Sequence, residues 1–491
     1  MRRGLVLSVF FALTIVLAFS LPFGASGSTK KFQGVQLTLA GESGLTINPM
    51  KWHRGEWGEM TGANINIVEH PFASLFEKIM TSFVTGTAAY DIIVYPSAWS
   101  GDIMGGGYVL PLTKYLKDNP DWDDILPLYR ERIAAWGNTV YAFPLDGDSH
   151  MLYYRKDLIE NPKYKADFKK KYGYDLQPPK TWKMYKDIAE FFTGWDWDGD
   201  GKPNYGVVES MARGGQSYWW FFSHSAAYVA IPGQVSLFFD PDNMKPLINS
   251  PGHVQGLQDY VDMVKYGPPG MLNYQVGDVR SEYPLGTAAL AIDWGDVGTM
   301  ANDPKLSKVV GKVGYLPLPG STRVWNRKTG KWEDFPEINY APYIAFGGWV
   351  ASITKTCKNP DAAYDFLRYL NSPAVSLKDV TTGGSGFNPY RKSHFEAVQR
   401  WREFGFPNPE EYLQAIRFTI EHPNAQLDLR IPGAAEYFEV LDLNLSRALS
   451  KEVTPKQALD AVYQEWEKIT NKLGREKQLR YYRESLGLPP K

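Results

Sequence analysis

The chain has 491 residues, 44% hydrophobic and 22% charged, with 53 basic against 54 acidic side chains and a formal net charge of −1. At about 150 residues per domain this is roughly three domains or two large ones, and the balanced charge excludes any general affinity for nucleic acid or an anionic membrane. Aromatic residues make up 14%, with 16 Trp and 30 Tyr, and their flat apolar faces with a polar handle serve a large core or stack on sugars and bases.

Residues 1–27 carry Arg2 and Arg3, an apolar run over 5–21, and the small residues Gly24, Ala25, Ser26 and Gly27. This layout predicts a signal peptide cleaved near Ala25 or Gly27. The run is also nearly long enough for a membrane anchor, but the small residues favour cleavage. No Cys lies near the site to take a lipid, and losing two arginines and no acids leaves a net charge of −3. The expected location is periplasmic or extracellular. A single cysteine, Cys357, means no internal disulfide, and a lone thiol is expected to be buried and inert.

In chain order, the stretch 35–40 alternates like a strand, a helix follows around Trp52, and 63–69 alternates again. Leu75, Ile79 and Phe83 mark a helix face. The run 90–95 is nearly continuous in apolar residues, as in a parallel strand covered on both faces. The first region therefore reads as an α/β sheet, with ligands expected at the carboxyl ends of its strands. Further strands are expected at Tyr141 and Phe143 and over 151–154. Helices are expected to open at Thr181, at Ser250-Pro251, at Asn359-Pro360, and at the capping box Thr454-Pro455-Lys456-Gln457. The last hundred residues read as mostly helical. Three segments break the pattern with Gly, Pro and acids: 141–150, 313–321 and 383–393. Three crossings between two lobes would make a hinge with a cleft, a favoured place for a small ligand.

At these motifs the chain resembles the extracellular solute-binding proteins of sugar ABC importers, the group that includes maltose-binding protein. The likeness rests on Tyr90-Asp91-Ile92, Gly107-Tyr108-Val109-Leu110-Pro111-Leu112, Val140-Tyr141-Ala142-Phe143-Pro144 and Tyr154-Arg155-Lys156-Asp157. In the last, Arg155 replaces the family's Asn. It continues through Pro179-Lys180-Thr181-Trp182, Gly286-Thr287-Ala288-Ala289-Leu290, Gly347-Gly348-Trp349 and Asn359-Pro360-Asp361-Ala362-Ala363. The order and spacing of these motifs over nearly the whole chain carry the resemblance; no one motif does. It implies an α/β, two-lobed periplasmic-binding-protein fold of the maltose-binding-protein type, with three hinge crossings and a helical C-terminal region. Lobe 1 would hold 28–145 and 320–388, and lobe 2 would hold 146–319 and 389–491. The implied activity is capture of a sugar or polyol in the interlobe cleft and delivery to the permease subunits of an ABC transporter, by a monomer that is not an enzyme.

A sugar asks for an aromatic plate and for charged or amide partners to its hydroxyls. The resemblance points to Asp148, at a position that often holds a ligand carboxylate; Asp146 cannot be separated from it, and either acid also suits a turn. Ser97 and Trp99 follow the third strand. Trp294 and Asp296 follow the stretch where the family presents an aromatic to the sugar. Gly348 and Trp349 open a strand where a glycine pair permits close approach, and Asn388 and Arg391 sit at the third crossing. Trp219 and Trp220 are adjacent, so at most one faces a ligand, and Trp220 is taken as the candidate. Every Trp here is as well suited to the core as to stacking.

No cofactor is required, but Asp196, Asp198 and Asp200 precede Gly201 as in a calcium loop, with Lys202 offering its carbonyl. The twelfth position is Val207, so Glu209 or a distant acid would complete the shell; the plain alternative is an acidic surface turn. No Gly-x-Ser-x-Gly, phosphate-loop or His-Glu-x-x-His motif is present. The rivals are an exported glycoside hydrolase working with two cleft carboxylates, and a binding protein for a phosphorylated polyol or a peptide, the phosphate demanding an Arg- and Lys-rich cleft.

Overall fold

The computed structural model describes residues 30–234, 236–489 and 491, so the expected signal segment lies outside the described residues. Strands Gln36–Glu42, Asn64–His70 and Ile92–Pro96 run parallel, with Leu39 level with Ile67 and Ile92. Helices Asn48–Thr61 and Phe72–Thr85 make the two crossovers. Leu75 and Ile79, the face that the spacing predicts, are fully buried. Ile92–Pro96 is the middle strand of five and is buried along its whole length, because the sheet is covered on both faces.

That sheet is mixed rather than all parallel. Trp349–Ile353 runs antiparallel to Ile92–Pro96 and pairs on its far side with Phe143–Pro144. Strand direction depends on where the chain returns from, and an apolar pentapeptide carries no record of that. The second sheet has the order Val313–Pro317, Met151–Arg155, Ala288–Asp293, Tyr205–Val208, with only its last pair parallel. The chain thus passes from the first sheet to the second between Pro144 and Met151, and returns between Pro317 and Trp349.

The return path contains a hairpin that the sequence reading missed: Ser321–Asn326 pairs with Lys331–Asn339, and Trp325 meets Trp332 edge-on at 5.9 Å. Helix starts follow the cap chemistry. Thr181, Ser250 and Thr454 each accept the backbone N–H three residues on, and Gln457 closes the box at Thr454. At Asn359 no side-chain cap bond forms, and Pro360 alone marks the start. Cys357 is buried, and burial pushes its thiol up to about 12, which leaves it unreactive.

The C-terminal helices Ala434–Leu449 and Pro455–Leu473 pack on Ser217–Val229 and Pro251–Met263. Trp466 is fully buried there; it stacks on Phe239 at 5.1 Å and donates to the Tyr437 carbonyl at 2.9 Å. Deleting a ring of this kind leaves a cavity and an unpaired carbonyl. Trp466→Ala is therefore expected to cost about 3–5 kcal/mol in urea unfolding; a loss below about 1 kcal/mol would show that this helical layer carries little of the stability.

Candidate functional site

The site is built where the first sheet's strands end. Residues 346–348 precede Trp349–Ile353 and hold three successive positive φ values, 68°, 73° and 84°. Gly347 and Gly348 are required: an added Cβ would lie 2.3 Å from Ser97 Oγ in one and 2.3 Å from the Asp146 carbonyl in the other. Ser97 holds the turn, donating Oγ–H to the Phe346 carbonyl and N–H to the Gly348 carbonyl, both at 3.0 Å. Phe346 therefore adopts a backbone that costs a non-glycine residue about 1 kcal/mol or more, and its ring becomes part of a cavity wall.

The cavity lies between the two sheets and encloses about 250 Å³. Glu42, Phe72, Phe346 and Trp349 come from the first lobe's side; Gln216, Arg280, Trp294 and Asp296 come from the second; Asp148 lies on the crossing. A second chamber of about 260 Å³ shares Phe72, Gln216 and Phe346 with the first and continues past Trp99, Tyr218 and Trp219. A recess beyond Arg280 and Asp296 reaches Asn388 in the third Gly-rich segment.

The polar groups form two clusters. Arg280 donates to Asp293 Oδ1 at 3.0 Å and to Asp296 Oδ2 at 2.8 Å, and its guanidinium lies over the Trp294 ring at 5.5 Å. Asn388 donates its amide N–H to Asp146 Oδ1 at 2.7 Å and its Nδ2–H to Asp148 Oδ1 at 2.8 Å, tying the third segment to the first crossing. Both acids are buried. Burial raises Asp146 to about 7, and burial with the neighbouring Asp146 and Asp296 charges raises Asp148 well above the carboxylate range. Two anions so close cannot both ionise cheaply, so they titrate as a pair.

Asp148, Trp294, Asp296 and Trp349 are brought together on the polar chamber, with Asn388 behind them; Trp99 is on the second chamber. The other expected site residues are placed elsewhere. Ser97 is fully buried and serves the turn. Asp146 faces the hinge backbone, and Gly348 packs against it. Trp220 is fully buried with its Nε1–H on the Ile292 carbonyl; its neighbour Trp219, about 100° round the helix, is the one on the cavity. Arg391 is 1% exposed and clamps Asp121, Asp124 and Asn371 from behind the hinge. Glu209, just past the strand Tyr205–Val208, is fully buried against Tyr185 (2.5 Å) and His224 (3.0 Å), so it does not complete the acidic loop.

Reading the sequence missed Glu42, Phe72, Gln216, Arg280 and Phe346. Glu42 ends the first strand and Phe72 follows the second, so the rule that ligands gather at strand carboxyl ends would have found them. Arg280, on the short helix Val276–Glu282, has no local signal.

A deep cleft between two α/β lobes, walled by aromatic plates and charged hydrogen-bonding groups, defines a solute-binding protein. The family described as bacterial extracellular solute-binding protein matches residues 55–376, and the chain belongs to it. A "Probable ABC transporter-binding protein" of Deinococcus radiodurans is 26% identical over 359 residues, covering 72% of this chain and 76% of that one. The mannitol-binding protein of Pseudomonas aeruginosa is 23% identical over 305 residues, 61% of this chain and 60% of its own. The solved ABC transporter solute-binding protein of Agrobacterium radiobacter K84 in complex with ribitol shares the fold, with a TM-score of 0.71 and 24% identity over 90% of this chain and 100% of that one.

Asp146 has a raised folded pKa, so its contribution to stability is fully present below about pH 4 and is lost as pH rises through about 7. Asp146→Asn keeps the acceptor for Asn388 and removes one carboxyl of the titrating pair, which relieves Asp148 of its neighbour's charge. The melting temperature of the variant relative to the parent, both ligand-free, is expected to rise between pH 4 and pH 8; a difference that stays constant with pH would refute the shared burial of this acid.

Proposed function

We propose that the protein captures a polyhydroxylated solute, a sugar or sugar alcohol, in the interlobe cavity outside the cytoplasm and hands it to an ABC permease without transforming it. The observation that carries this is the joining of Trp294 and Trp349 with Asp148, Asp296 and Arg280 around one cavity that opens to solvent. Aromatic faces take the C–H surface of such a ligand, and charged groups take its hydroxyls. The mannitol and ribitol named for two similar proteins support this ligand class. Binding would draw together a lobe of 28–145 and 320–388 and a lobe of 146–319 and 389–491, the ligand stabilising the closed form by touching both. Among the described residues no helix is long and apolar enough to cross a membrane.

A thermal-shift screen of monosaccharides, oligosaccharides, polyols and amino acids tests this. A ligand at 100 times its Kd stabilises the folded form by about 2.7 kcal/mol, and the ligand should be recovered intact. A response to amino acids alone, or cleavage of an oligosaccharide, would overturn the reading. Asp148→Ala should weaken the identified ligand about tenfold or more, the worth of one buried hydrogen bond, and should also lower the melting temperature because Asn388 Nδ2–H loses its acceptor; unchanged affinity would remove Asp148 from the contact set.

The acidic loop is a candidate structural calcium site. Carboxylate oxygens of Asp196, Asp198 and Asp200 lie within 4.8 Å of one another, and all three residues are exposed. The loop is already shaped by Gly199 and Gly201 N–H groups on Asp196 and by the Lys202 N–H on Asp200. Hard oxygen donors on a sharp glycine turn suit that ion. Asp198→Ala should lower the melting temperature only when calcium is present; an equal drop with chelator would make the loop a plain acidic turn.

A further inference from the structure

The second chamber differs in chemistry from the first. Its walls are rings: Phe72 and Phe76 pack against Trp99 at 5.6 and 5.1 Å, Tyr218 stacks on Phe438 at 4.7 Å, and Trp219 meets Phe346 at 5.2 Å. The charged side chains that line it are all acids, Asp102, Glu439 and Asp442, with no Lys, Arg or His among the lining residues. The polar chamber next to it adds Glu42, Asp148 and Asp296 against one base, Arg280, which is already held by Asp293 and Asp296. An anionic ligand such as a phosphorylated sugar would therefore meet a lining whose one cation, Arg280, is already committed to two acids.

An aromatic enclosure edged with carboxylates has a definite complement. Ring faces carry negative quadrupoles and attract an ammonium group, most strongly where water is excluded. A carboxylate nearby adds a charge-assisted hydrogen bond to N–H. Asp442 is held in place by the Gly214 N–H at 2.8 Å and Ser217 Oγ–H at 3.2 Å, and Asp102 by the Gly433 N–H at 3.2 Å. Burial raises Asp102 to about 6 and raises Asp442 as well, although the Arg213 charge pulls Asp442 the other way; Arg213 pairs with Glu439 at 3.4 Å on the exposed rim of the chamber.

We infer that the second chamber receives an amine-bearing unit of the ligand, so that the cleft as a whole selects a cationic amino sugar or aminoglycoside-like solute whose polyhydroxylated part sits between Trp294 and Trp349. This rests on the carbohydrate reading and narrows it. The shared wall of Phe72, Gln216 and Phe346 places the two chambers side by side.

Calorimetry at pH 7 with three β-1,4 disaccharides of one shape tests the inference: the glucosamine dimer, its N,N′-diacetyl form, and cellobiose. The glucosamine dimer is expected to bind at least tenfold more tightly than either neutral analogue. In the double variant Glu439→Gln, Asp442→Asn, checked for an unchanged melting profile, that preference should fall below threefold with cellobiose affinity unaltered. Equal or tighter binding of a neutral dimer to the parent protein overturns the inference and leaves the carbohydrate reading standing. A simple amine, ethanolamine, separates the two further. Binding of ethanolamine with no saccharide binding would overturn the carbohydrate reading and keep the chamber's cation preference; no binding by any probe overturns both.

Discussion

The architecture hangs on a small knot of backbone and carboxyl groups where the crossings meet. Asn388 touches both Asp146 and Asp148, its carbonyl accepts the Gly147 N–H at 3.0 Å, and a Cβ on Gly147 would lie 2.0 Å from the Pro389 carbonyl. Gly348 closes on the same place from the return strand, its own Cβ position occupied by the Asp146 carbonyl. Three segments far apart in sequence therefore share a volume that only glycine and one amide fill. The two sheets lie on either side of it, and the Trp294 Nε1–H on the Ala345 carbonyl at 2.9 Å adds a further tie between the two sides.

The knot also explains why the cleft is chemically active rather than a gap. A buried pair of carboxyls held by one asparagine is costly unless a proton or a ligand shares the charge. Asp148 is thereby presented to the cavity in a state that a hydroxyl or a cation stabilises, while Asp146 remains behind as the support. Arg280 works the other way: two acids hold it in place over Trp294, so its charge is spent on rigidity more than on attracting anions. Phe346 completes the arrangement. Its left-handed backbone, enforced by Ser97 and two glycines, positions its ring in the wall between the polar and aromatic chambers.

Most of the elements were legible because their signals are local. Periodic apolar residues marked Phe72–Thr85, capping chemistry marked Trp182–Phe192 and Pro455–Leu473, and an unbroken apolar run marked Ile92–Pro96. The errors have a common cause. Choosing Trp220 over Trp219, and reading Ser97, Arg391 and Glu209 as ligand-facing or metal-facing, required knowing which side of each element met the cleft. Neighbours in sequence differ there by a rotation of about 100° on a helix or by a flip of face on a strand, and composition is silent on both.

Sequence alone determined an α/β first region and a helical C-terminal region, because hydrophobic period, caps and turn residues act over a few residues, while the two-lobed fold came from the resemblance of its ordered motifs to extracellular solute-binding proteins. The tertiary structure alone decided that Trp349–Ile353 runs antiparallel, that Arg280 is fixed by two acids, and that the cleft divides into a polar and an aromatic chamber. Those features arise from contacts between residues tens to hundreds of positions apart. Such contacts are set by how the two sheets pack around the knot, which no local pattern encodes.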